Sequence, residues 1–160
     1  MVTYIDTSVI IAAVDRGDGR NRDAERFLLR EEGKVISPLV LTEVFSAVSR
    51  IPDLKLELDI DKRDLPAVIA RLAVRKYGLD VIAPPHRSFT IFGELPSEYK
   101  RAFLLAPELK LRTLDLLHIS YAWNLKMNGK NIEKFATFDE EILRKSDKIK
   151  ELTDIRVIEP

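Results

Sequence analysis

The amino-acid sequence predicts an α/β fold, a three-layer α/β/α sandwich with a largely parallel central sheet. Three observations lead there. Short β-branched or aromatic runs (VTYI, KVIS, LDVIA, KFATF, IRVIE) alternate with longer stretches of helical periodicity, and strands joined through helices build parallel sheets covered on both faces. The chain has 160 residues, 46% of them hydrophobic, which suits one core and is short for two. Two acids, Asp6 and Asp139, come directly after strand runs, at the carboxyl edge where such sheets place their working crevice.

In chain order, VTYI is the first strand, and TSVIIAAVD opens as a helix behind a Thr or Ser cap. Asn21 is placed to cap NRDAERFLLREE, where Ala24, Phe27 and Leu28 recur at helical spacing and Gly33 marks the stop. KVIS is a strand. Ser37 then reads as a cap and Pro38 as the first residue of the helix LVLTEVFSAVSR, with Glu43 in its second turn. The charge-rich stretch IPDLKLELDIDKRDLP lies between prolines and reads as an exposed connection into a helix from about Leu65 to Tyr77, ended by Gly78. LDVIA is the next strand, broken by Pro84 and Pro85. The region PPHRSFTIFGELPSEYKRAFLLAPELKLR is the least periodic and reads as a loop with a short helix around SEYKRAFLLA. Thr113 is placed to cap LDLLHISYAWNLK, and Gly129 to end it. KFATF as a strand, DEEILRKS as a helix and IRVIE as a strand complete the chain. The expectation is one domain over residues 1–160, with extra connecting segments around 51–66 and 84–112. No internal repeat or low-complexity segment interrupts it.

Composition excludes several function classes. With no cysteine, disulfides, zinc-thiolate sites and thiol nucleophiles are absent, and two histidines supply few ligands for a histidine-rich metal site. No apolar run approaches the length of a membrane span, and the N-terminus lacks a signal peptide's basic start and cleavage site; a soluble cytoplasmic protein with no membrane partner is expected. The 26 basic and 26 acidic residues balance, so contact with a nucleic acid must rest on local patches or on bound metal. A charged fraction of 32%, the absence of glutamine and the proline-marked loops resemble a protein from a hot environment.

Chemistry concentrates in isolated acids. Asp6 is the only charged side chain in the first fourteen residues, Glu43 the only one between Lys34 and Arg50, and Asp115 the only formal charge between Arg112 and Lys126. An ionised carboxylate withdrawn from water must reach a wetted face, a cation or a proton. Carboxylates clustered without histidine or cysteine suit a hard, oxygen-seeking cation, Mg²⁺ or Mn²⁺, as one or two ions. Such ions activate water and stabilise charge on a phosphate oxygen, which phosphodiester hydrolysis requires.

Four segments in order, YIDTSVII, TEVFSAVSR, LDLLHISYA and FATFDEEI, resemble the PIN-domain nucleases. In size and layout the chain is most similar to the VapC-type toxin ribonucleases. The resemblance implies that Asp6, Glu43, Asp115 and Asp139 bind metal and carry catalysis, with Ser8 and Thr137 as supporting hydroxyls. It further implies an RNA substrate, a homodimer and a small partner antitoxin. The extra residues between Glu43 and Asp115 depart from the compact form, and bear on the antitoxin pairing and RNA target more than on the metal site.

Each residue also has a structural reading. Asp6 can be a helix cap, Glu43 can pair with Arg50, Asp115 can complement a helix dipole, and Asp139 opens an acidic first turn with Glu140 and Glu141. Ser8 and Thr137 can cap or bond backbone. Arg50 is a candidate phosphate contact. His118, one turn after Asp115, reads as a satisfied core histidine in preference to one facing the acids, and His86 as an exposed loop residue. Arg75, Lys76, Lys110 and Arg112 read as surface charge, and Trp123 and Phe138 as core in preference to base-stacking groups. A receiver domain would need adjacent acids after the first strand, where Thr7 stands, and a haloacid-dehalogenase-type phosphatase a second Asp, where Ser8 stands. The alternatives that remain are an RNA-processing nuclease outside a toxin-antitoxin system and a PIN-fold binding module with little catalysis.

Overall fold

A computed structural model describes residues 1–50, 61, 63–83 and 87–160. Five strands, β1 (Val2–Ile5), β2 (Lys34–Ile36), β3 (Leu79–Val81), β6 (Ile132–Ala136) and β7 (Arg156–Ile158), form one sheet in the order β3-β2-β1-β6-β7. Every pairing in it is parallel, as the alternating pattern predicts. β4 (Arg87–Thr90) and β5 (Gly93–Pro96) make a separate antiparallel hairpin.

Helices flank the sheet. α1 (Thr7–Val14) packs with α2 (Asn21–Arg30), α3 (Pro38–Arg50) and α4 (Leu65–Tyr77), whereas α5 (Ser97–Leu109) packs with α6 (Thr113–Met127) and α8 (Ser146–Thr153). The short α7 (Glu140–Arg144) lies against α8 and β7. Central strand β1 buries Thr3, Tyr4 and Ile5, and Tyr4 stacks on Phe135 of β6 at 5.2 Å between ring centroids. Each large side chain so buried contributes about 1.5–3 kcal/mol, and this packing makes the β1–β6 pair a stiff base for the side chains carried at its carboxyl ends. Among the described residues, no helix is long and apolar enough to cross a membrane.

Several local expectations are corrected. The α1 cap is Asp6, not Thr7 or Ser8, and the Asp6 side chain makes no capping bond. Asn21 is the first residue of α2 and turns its amide to the carbonyls of Ala12 and Ala13 at the end of α1, so it joins two helices rather than capping one. Ser37 does cap α3, accepting from the Val40 N–H at 3.4 Å. Arg112, not Thr113, is the N-cap of α6. The region read as loop contains the β4–β5 hairpin, turned at Gly93 with φ +94°, and the helix there runs through Pro107 to Leu109. Pro107 stands two residues before the end of α5, so the helical bond it removes lies in the last turn. A separate helix, α8, comes after the predicted DEEILRKS helix and before β7. The connection at 51–60, Pro84, Pro85 and His86 lie outside the described residues.

Candidate metal centre

The sheet's ladder carries two side chains to its carboxyl edge. Asp6 continues β1, donating its N–H to Ala136, and Thr137 continues β6, donating to Ile158. At that edge, Asp6 Oδ2 accepts from Ser8 Oγ at 2.6 Å and from Thr137 Oγ1 at 2.7 Å. The same hydroxyls accept from the backbone N–H groups of Phe138 (3.0 Å) and Asp139 (2.9 Å) respectively. One turn thereby fixes the start of α1 against the end of β6. Asp6 Oδ1 remains open toward the cleft, 3.7 Å from His118 Nε2.

Glu43 reaches the same place from α3. Its Oε2 accepts from Thr7 Oγ1 and from His118 Nε2, the latter at 2.6 Å. His118 is buried behind it, with Nδ1 3.2 Å from the Tyr4 hydroxyl. Burial opposes its imidazolium, but the Glu43 hydrogen bond and the Asp6 charge outweigh burial and hold its pKa above the usual histidine value. Burial likewise raises Glu43, and the His118 bond and charge with the Thr7 hydroxyl bring it below the ordinary glutamate value. The Arg50 pairing open to Glu43 in the sequence is not made; Arg50 lies on the cleft wall.

Asp139 is the N-cap of α7, its Oδ1 accepting from the N–H groups of Glu141 (2.8 Å) and Ile142 (3.1 Å). The structural role open to it is therefore real, and it coexists with a place in the cleft. Asp115 differs from the other three. It sits in the first turn of α6, and among the described residues no side chain or N–H donates a hydrogen bond to it. Desolvation, then the charges of Asp139 and Asp6, push its pKa up to about 6, and the charge of His118 does not offset them.

Asp6, Ser8, Glu43, Arg50, Asp115, His118 and Asp139 all line one cleft of about 300 Å³. The sequence-predicted acids thus converge, with Arg50 beside them, and Thr137 stands behind Asp6. His118 is both things the sequence offered, a satisfied buried histidine and a neighbour of the acids; its position one turn after Asp115 was the available signal. Thr7, bonded to Glu43, was not singled out, and its place directly after Asp6 was the only clue. The surface and core readings fit elsewhere: Lys76 pairs with Glu25 and Arg112 with Glu141, Phe138 is buried under Arg20, and Trp123 packs on the core beneath Arg101.

The donor set fits a divalent cation. Oxygens dominate it, three carboxylates each keep one uncommitted oxygen, and Asp115, raised by desolvation and then by the charges of Asp139 and Asp6, carries a charge that a cation would relieve. Ligand atoms of Asp6, Glu43 and His118 lie within 4.8 Å of one another.

A fold with parallel strands in this order and four acids at its carboxyl edge defines an acid-cleft α/β protein. The PIN domain family model matches residues 3–148, and the chain belongs to that family. Its structure is similar to a chain of VapBC2 from Rickettsia felis, bound to a DNA fragment from their promoter (13% identity, 100% of this chain and 99% of that one, TM-score 0.60). It is similar also to VapC20 from Mycobacterium tuberculosis, a sarcin-ricin loop cleaving toxin (19%, 89% and 93%, 0.58), and to a chain of VapBC-1 from nontypeable Haemophilus influenzae (15%, 99% and 98%, 0.60). No curated protein sequence matches the chain.

Proposed function

We propose that this PIN-domain protein is a Mg²⁺- or Mn²⁺-dependent endoribonuclease and the toxin component of a toxin-antitoxin pair, acting as one domain in the cytoplasm. The observation that carries the reading is the convergence of Asp6, Glu43, Asp115 and Asp139 on one cleft, with the Asp115 carboxyl pushed up to about 6. Family membership and the fold shared with VapC20 and the VapBC proteins support it.

When bound, one or two ions supply charge neutralisation at a phosphate oxygen and a more acidic water. Asp6, Asp115 and Asp139 would hold them, and Glu43 would complete the set of ligands or orient a water. Ser8 and Thr137 hold Asp6 at its other oxygen, and Arg50 on the cleft wall meets an RNA phosphate. The balanced net charge gives no long-range attraction for RNA, so the bound cation and Arg50 provide the local one. The chain works as a homodimer restrained by a small antitoxin.

The test is cleavage of a mixed RNA substrate by the purified protein with Mn²⁺, with EDTA, and in Asp115→Asn. Cleavage that needs Mn²⁺ and is lost in folded Asp115→Asn is expected. No cleavage together with no metal-induced stabilisation refutes the reading.

A further inference from the structure

Glu43 is held at one oxygen from two sides, and the chain of groups behind one of those donors is buried from end to end. His118 is 2% exposed, and Tyr4 and Ser37 are fully buried. From Glu43 Oε2 the chain passes to His118 Nε2 (2.6 Å), from His118 Nδ1 to the Tyr4 hydroxyl (3.2 Å), and from there to Ser37 Oγ (2.7 Å). An ionised carboxylate only accepts, so Nε2 carries the proton of the first bond. Both hydroxyls donate or accept, so the remainder of the chain satisfies Nδ1 with or without a proton. Nε2–H therefore points at Glu43 whichever charge the ring bears. Tyr4 is itself fixed, stacked on Phe135 and set edge-on to the His118 ring at 6.3 Å.

We infer that His118 is a positioning residue for Glu43 rather than a ligand of the ion: with Thr7 it saturates Oε2 and leaves Oε1 as the one working oxygen of Glu43. The inference rests on the metal-dependent reading of the cleft. It gains from repetition, since two hydroxyls saturate Asp6 Oδ2 and two N–H groups saturate Asp139 Oδ1. Each of these three acids is left one oxygen at a fixed angle. To ligate, His118 would have to give up its Nε2 proton, and its lone pair would then face an oxygen lone pair at 2.6 Å. The 4.8 Å cluster of Asp6, Glu43 and His118 makes that the concrete alternative.

The protein holds two histidines, so long-range ¹H–¹⁵N spectra of ¹⁵N-histidine-labelled protein identify His118 by its loss in His118→Gln. Nε2 is expected to stay protonated in the metal-free and the Mg²⁺-saturated protein, while Tyr4→Phe shifts Nδ1. In RNA cleavage at saturating Mn²⁺, Tyr4→Phe and His118→Gln are expected to lower kcat about 10- to 100-fold. An Nε2 that loses its proton when Mg²⁺ binds overturns the inference alone. So does a kcat left unchanged at saturating Mn²⁺ in both variants. Absence of any Mg²⁺ or Mn²⁺ binding overturns the metal reading and this inference with it.

Discussion

Asp115 gives the most discriminating prediction, because among the described residues its charge has no hydrogen-bond partner. In the ion-free protein its carboxyl moves from 3.8 to about 6 through desolvation and the charges of Asp139 and Asp6. At ~1.4 kcal/mol per tenfold change in proton affinity, keeping Asp115 ionised in the fold costs at most ~3 kcal/mol. The side chain is half-buried, and solvent and salt screening reduce this to ~1 kcal/mol. Because the folded value lies above the unfolded one, the stability from protonation is present below about pH 4 and is lost as pH rises through about 6. In EDTA at pH 7.5, Asp115→Asn is therefore expected to melt higher than the natural sequence by ~2–4 °C for a chain of this size. At pH 4 the difference shrinks toward zero. With saturating Mn²⁺ the order reverses, since only the natural sequence keeps all four acids. Differential scanning fluorimetry at the two pH values, with EDTA and with Mn²⁺, reads all three effects. An Asp115→Asn protein that melts lower in EDTA at pH 7.5, or gains as much from Mn²⁺ as the natural sequence, would falsify the account of an unmet charge awaiting a cation.

Asp139 separates its two roles by substitution: Asp139→Asn keeps the α7 cap and is expected to stay within ~0.5 kcal/mol of the parent in urea unfolding, whereas Asp139→Ala loses ~1 kcal/mol; both should lose Mn²⁺-dependent cleavage. Thr137→Val strands the Asp139 N–H and takes a donor from buried Asp6, so a loss of ~1–3 kcal/mol in the same assay is expected. At Gly33, φ is +61° and an added Cβ would stand 2.8 Å from the Met1 carbonyl; Gly33→Ala should lower the stability by more than ~1 kcal/mol. Ile91, 92% exposed at the hairpin tip, should tolerate Ile91→Ser within ~0.5 kcal/mol.

Much of the acid cleft was legible in the sequence because its signals were local. An acid directly after a strand run is placed at the sheet edge, so Asp6 and Asp139 were readable, although Asp139 shares its turn with Glu140 and Glu141. Glu43 and Asp115 stood out because nothing else in their runs was charged. The hairpin was missed for the opposite reason: Ser88 and Thr90 alternate with Arg87 and Phe89 in strands only four residues long, and Phe89 is the exposed one, so β4 carried no apolar buried face. Thr7 and the Tyr4–His118 contact are long-range. No spacing in the chain announces that residues 4 and 118, or 7 and 43, will meet; the first pair comes from the placing of α6 beside the sheet, and the second from the packing of α1 on α3.

The hydrogen bonds also explain why the four acids are not equivalent. Asp6, Glu43 and Asp139 draw their donors from hydroxyls, an imidazole and helix N–H groups, so much of the cost of their charge is met before any ion arrives. Among the described residues Asp115 has no such donor, only the favourable charge of His118 and the start of α6, and it faces two of the locked acids across the cleft. Locking three carboxylates concentrates the uncompensated charge on the fourth. On the proposed reading, an apolar helix tolerates this single acid because a cation in the cleft would meet its charge, and the binding of that cation should be felt first in the protonation of Asp115.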